Sequence, residues 1–181
     1  MLTITVPESE AWDEQKNLFI HIKSQTIRLE HSLVSISKWE SKWHKSFLSD
    51  GMKTNEEVLD YIRCMTITQN VDPNVYHCLS NEIIDRINKY IEDPYSATVF
   101  YDKVQPGKPS RERISSEKIY FWMVVNGIPF ECQTWHLNRL MNLIRYCNAY
   151  NAPAKKRKPH EIAKDYDQMN AARRKQFNTS G

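Results

Sequence analysis

Apolar and polar side chains alternate along "LTITVP" at residues 2–7 and again along "LFIHIKSQTIRLE" at residues 18–30. A period of two, carried largely by β-branched residues, predicts strands. A turn near Lys23 to Gln25 would divide the second stretch, and the polar "ESEAWDEQKN" would serve as a connection. Together they predict a small antiparallel sheet near the N-terminus. The spacing then changes. In "SLVSISKWESKWHKSFL" the positions Leu33, Ile36, Trp39 or Glu40, and Trp43 step by three and four, which is helical, and Ser32 is placed to cap the helix.

Gly51 in "SDGMKT" breaks that pattern. Thr54 then precedes "NEEVLDYIRCM", with Glu56 and Glu57 in the first turn and Val58, Tyr61, Ile62 and Met65 as its apolar stripe. Acidic side chains at that end suit the helix dipole. A short helix entered through Pro73 is predicted in "VDPNVYHCL", because proline fits the first helical position. Ser80 caps the next, whose stripe is Ile83, Ile84, Ile87 and Ile91, and Pro94 stops it. "SATVFYDKVQ" is β-prone and "PGKPSRER" loop-like, which suggests a second hairpin.

Ser115 or Ser116 begins "EKIYFWMVVNG", apolar on nearly every side and therefore expected to be largely buried, with Gly127 as its stop. Pro129 is expected to open a helix reaching about Tyr150, with Leu137, Leu140, Met141, Ile144 and Cys147 as its buried face. "NAPAKKRKP" reads as a linker. A last helix, "HEIAKDYDQMNAARRKQF", has only a thin stripe at Ile162, Tyr166 and Met169. The expected fold class is mainly α: a helical domain with a small N-terminal antiparallel β-sheet or hairpin and a detached C-terminal helix. Residues 1–30 would form a β-rich segment on the helical body, 31–151 the helical core, and 152–181 the basic linker and tail.

Composition refines this outline. A chain of 181 residues, 40% hydrophobic, suffices for one domain with a core of its own. No apolar run approaches the length of a membrane span, and "MLTITVPESEAWDE" lacks a secretory pattern. The expectation is therefore a soluble, intracellular protein. Its four cysteines, Cys64, Cys78, Cys132 and Cys147, show no close pairing and fit the reduced state. The net charge of +3 is uneven. Residues 155–181 carry +5 and the remainder −2, so an anionic partner would meet the tail.

Candidate chemistry concentrates in "PFECQTWHLNRL". Cys132 and His136, four apart, would share one face of a helix and could begin a metal or catalytic site. Zinc would need further ligands, and Cys64, His77 and Cys78 are the only evident reserves, none with ligand spacing. Phosphate-binding glycine loops and a nucleophile elbow are missing from the sequence. Neither a metal nor a cofactor is expected, and the segment reads as packing. Trp39 and Trp43, one turn apart and interleaved with Lys38, Lys42, His44 and Lys45, are either core or a partner surface. The basic tail could meet nucleic-acid phosphates, although no recognised nucleic-acid module accompanies it, or lie as a helix in another protein's groove.

Beyond these readings, "LEHSLVSISKWESKWHK", "DYIRCMTITQNVDPNVY", "IPFECQTWHLNRLMNLIRYCN" and the ending "NAARRKQFNTSG" resemble a family of tailed-bacteriophage morphogenesis proteins associated with tail assembly chaperones. The resemblance implies a non-enzymatic role: binding and shielding the tape measure protein in the host cytoplasm during virion assembly. It implies the tape measure protein and, beside it, the major tail protein as partners, with self-association open. Trp39 and Trp43 would be the contact residues and Arg173 and Arg174 auxiliary ones. A structural virion component, such as a head–tail connector or tail-completion protein, is the alternative, and a nucleic-acid-binding accessory protein stands behind it.

Overall fold

Strands pair first in chain order. A computed structural model describes residues 1–13, 18–49, 51–98, 113–151 and 159–177. Four strands, β1 (Leu2–Val6), β2 (Ser9–Asp13), β3 (Leu18–Ile22) and β4 (Gln25–Leu29), form two antiparallel ladders, β1 with β4 and β2 with β3. Leu2 faces Leu29 and Val6 faces Gln25, while Ser9 faces Ile22 and Asp13 faces Leu18, so every pair of residue numbers sums to 31. The two ladders therefore share one register and make a single long hairpin with a gap between them. Pro7 lies in the gap and has no N–H to donate; Ser24 Oγ donates to the Val6 carbonyl across it at 3.2 Å.

The sheet is where the alternation predicted it, but its internal plan differs. Lys23–Gln25 is not the turn of the hairpin, and "ESEAWD" contributes strand β2 rather than connection. Polar Ser9–Asp13 has weak strand character alone; continuing the register set by β1 and β4 supplies its partner. In the proximal ladder Ile4, Val6, Ile27 and Leu29 are buried, while Thr3, Thr5, Thr26 and Arg28 face outward.

Two capped helices follow. In α1 (Leu33–Trp43), Ser32 Oγ accepts the Ser35 N–H and Ser35 Oγ accepts the Ser32 N–H at 3.0 Å, a reciprocal cap. In α2 (Asn55–Met65), Thr54 Oγ1 and Glu57 Oε2 do the same, the latter accepting the Thr54 N–H at 2.8 Å. The expected stripes hold the core: Leu33, Ile36 and Trp39 from α1, and Tyr61, Ile62 and Met65 from α2, are all buried. A 3₁₀ turn at Pro73–Cys78 starts at the proline as expected. Ser80 caps α3 (Asn81–Glu92), which buries Ile83 and Ile87 and ends before Pro94.

The suggested second hairpin, at residues 96–113, lies outside the described residues over 99–112, as does the linker over 152–158. Beyond the first lies α4 (Ser116–Val125). It closes with Gly127 at φ +64°, where the Gly127 N–H reaches the Val124 carbonyl and the Ile128 N–H reaches the Met123 carbonyl at 2.8 Å. This paired motif needs a left-handed residue at that point, which glycine adopts at least cost. The long helix expected from Pro129 divides in two. Phe130–Thr134 is a 3₁₀ turn, Trp135 and His136 are extended, and α5 runs Leu137–Asn151 with Leu137, Leu140 and Ile144 buried.

The division has a cause. Ser32 and His136 form a bridge, and the Leu137 N–H donates to the His31 carbonyl at 2.7 Å. Backbone groups there are spent joining α5 to the entry of α1, so they are unavailable to a continuous helix. The chain has two compact units, Met1–Asn148 and Ala149–Gly181. The second contains α6 (Pro159–Phe177).

Candidate interaction surface

Cys132 and His136 do not share a helix face. Cys132 lies in the 3₁₀ turn, buried, and burial pushes its thiol above the usual range. His136 is buried with both ring nitrogens engaged: Nδ1 lies 3.3 Å from the Asn138 N–H, which donates to it, leaving Nε2 to donate to the Tyr90 carbonyl at 2.9 Å. A ring held in that tautomer has no free lone pair for a metal or a substrate proton. Among the described residues no group of three or more His, Cys, Asp or Glu is disposed to hold a metal.

Beside it, His31 is also buried, its ring centroid 5.2 Å from that of His136, with Nδ1 bonded to the Tyr61 hydroxyl. Burial, and then the neighbouring His136, lower the His31 pKa from 6.5 to about 3. A neutral imidazole packed among Tyr61, Phe47 and His136 is a core element. Burial likewise pushes the Tyr61 hydroxyl above its ordinary value.

The tryptophan ridge is corrected by the structure. Trp39 is only 1% exposed, and its Nε1–H donates to the Glu57 carbonyl at 2.9 Å. It stacks on Trp43 with centroids 6.2 Å apart and meets Phe47 edge-on. Trp43 is partly buried against the core, with Nε1–H donating to Asp60 Oδ2 at 2.9 Å. Trp39 is thus closed off from a partner by α2, and Trp43 has its polar edge committed. The interleaved lysines bond to α2 carboxylates: Lys42 to Asp60 at 2.6 Å and Lys45 to Glu57 at 2.5 Å.

Glu57, expected as a helix-start acid, is buried, and so is Asp60, one turn further along α2. The hydrogen bond from Lys45, then the Thr54 backbone N–H, hold the Glu57 carboxyl below its usual range. At Asp60 burial pushes upward, but the hydrogen bonds from Lys42 and Trp43 outweigh it and the net is lowered. Glu40 entered the sequence reading only as a position on the helical period. Its Oε1 accepts the Phe47 N–H at 2.8 Å and its Oε2 accepts the Ser116 N–H at 2.7 Å, so one buried carboxylate joins α1, the loop after it and the start of α4.

Two of the clefts that adjoin these groups bear on chemistry. One, of about 490 Å³, lies among Glu40, Ser41, His44, Lys45 and Glu117. The other, of about 320 Å³, lies among Glu30, Lys38, Cys64, Thr66 and Thr134. In the first, Glu40 and Lys45 are already tied to backbone N–H groups and to Glu57. In the second, burial and then the Asp60 charge raise the Cys64 pKa, which keeps it a poorly nucleophilic thiol.

The main departure from the sequence reading is α4. Ser116, Ile119 and Met123 are buried, but Phe121, Val124 and Val125 are 62%, 61% and 65% exposed. These three stand at i, i+3 and i+4, so they form one outward face. Phe130, just past the Gly127 turn, is also exposed, with its ring 6.2 Å from that of Tyr120. A helix apolar all round reads as fully buried, yet the unit covers only one stripe of it. The signal was present in "IYFWMVV", which holds more apolar positions than a single core-facing stripe uses.

In the second unit Arg173 and Arg174 are exposed on α6, as are Tyr166, Met169 and Phe177. No helix among the described residues is long and apolar enough to cross a membrane. No protein-family model, curated protein or solved structure matches the chain.

Proposed function

We propose that this protein acts by covering an apolar surface of another protein, without covalent chemistry of its own, through the outward face of α4. The observation that carries this reading is the exposure of Phe121, Val124 and Val125 on a helix held rigidly from behind by Ile119 and Met123. Exposed apolar side chains grouped on one face mark binding sites, whereas scattered ones do not. Together with the resemblance to tail assembly chaperones, the surface favours a long helical partner, the tape measure protein of a tailed phage, shielded in the host cytoplasm while the tail assembles. A rigid apolar helix face suits such a partner because it offers modest, repeated contacts with apolar stripes rather than one deep pocket. Trp39 has no part in this reading, and Trp43 at most a marginal one.

The test is co-expression with the tape measure protein of a tailed phage. The wild-type chain should keep that partner in the soluble fraction. The double variant Phe121→Asp with Val125→Asp should remain folded by circular dichroism yet leave the partner in the pellet. A partner that pellets equally with wild type and variant would overturn the proposal.

A further inference from the structure

The described side chains of α6 are all exposed, including Tyr166, Met169 and Phe177. The described side chains of this 19-residue helix bury no face, and burying a face is the usual source of helical stability, because isolated helices are marginal in water. Tyr166, Met169, Arg173 and Phe177 follow one another at steps of three and four, a narrow stripe interrupted by one arginine. The charges are also segregated. Glu161, Asp165 and Asp167 against Lys164 give the first half of α6 a charge of −2, while Arg173, Arg174 and Lys175 give the second half +3.

We propose that α6 pairs antiparallel with α6 of a second copy, making the chain a dimer through its tail helix. Antiparallel pairing sets the acidic half of each helix against the basic half of the other, twice. Parallel pairing would instead set like against like. In the register that centres the pair between Met169 and Asn170, Tyr166 of one copy meets Arg173 of the other. The arginine that interrupts the stripe then lies over an aromatic face, where a guanidinium is favoured. The complementarity to itself is what selects a second copy over an unrelated groove.

The experiment is sedimentation of the full-length chain over a range of concentration and salt. Wild type should dimerise, and the dimer should weaken as salt rises, because attractive charges are being screened. The variant Arg173→Glu with Arg174→Glu should lose about tenfold or more in dimer affinity, as should Asp165→Lys with Asp167→Lys. Mixing the two variants should restore association as a heterodimer. A chain that stays monomeric throughout overturns the proposal, as does a dimer strengthened by salt. So does a dimer indifferent to both tail variants but lost in Phe121→Asp, which would move the contact to α4.

Discussion

Replacing His31 by glutamine tests the buried histidine pair quantitatively. His31 in the folded chain is held neutral, with its pKa lowered from 6.5 to about 3. Between those values the unfolded chain takes up a proton that the folded chain refuses, so stability rises with pH across the window. The contribution is fully present above pH 6.5 and is lost progressively as pH falls toward 3. At about 1.4 kcal/mol per pH unit, the ceiling is about 5 kcal/mol, of which about 2 kcal/mol is lost between pH ~7 and pH ~5. Glu57 and Asp60, whose carboxyls are held low, lose their contributions only in more acidic solution than this. The upper part of the window therefore separates the histidine core from the carboxylates, and the variant singles out His31 within it. For a chain of this length the loss corresponds to a fall in Tm of about 4–8 °C.

Urea unfolding followed by tryptophan fluorescence should show this loss in wild type with an unchanged denaturant slope. His31→Gln keeps an acceptor for the Tyr61 hydroxyl but has no titrating ring. It should be less stable near neutrality and lose distinctly less stability than wild type between pH ~7 and pH ~5. Equal pH dependence in the two proteins, or none in wild type, would refute the reasoning.

Trp39→Ala should destabilise the first unit by about 3–5 kcal/mol, the usual cost of deleting a buried large aromatic. A change below about 1 kcal/mol in urea unfolding would remove Trp39 from the core. Gly127→Ala meets no atom within 4 Å of the added methyl, so its cost comes only from the backbone at φ +64°. It should be about 1–2 kcal/mol, and an unchanged or higher Tm would mean that α4 does not need its left-handed stop.

Features written in adjacent residues were readable from the chain. Ser32, Thr54 and Ser80 each precede an apolar period, and each caps its helix. Gly127 stops α4 and Pro73 opens the 3₁₀ turn for reasons that also act locally. What escaped depends on residues far apart. Strand β2 owes its partner to a register established by β1 and β4, and the bridge from Ser32 to His136 divides the helix expected from Pro129. Glu40 looks like any surface glutamate until Phe47 and Ser116 are brought to its two oxygens. Periodicity also misled at α4, where it gave the right element and the wrong exposure. The tryptophans erred in the opposite sense, since lysines interleaved with them suggested a wet rim, whereas the lysine heads fold over onto buried carboxylates of α2.

The shared register of the two N-terminal ladders has a kinetic side. All its pairings lie within residues 2–29, so the ribbon can zip from its tip while later segments are still being synthesised, closing only short loops as it goes. During that interval Ile4, Val6, Ile27 and Leu29 present a naked greasy plane, awaiting the helices that will roof it. Synthesis that stalls after the ribbon and before α2 would therefore release a sticky fragment, and a pause at that point would direct nascent chains toward aggregation.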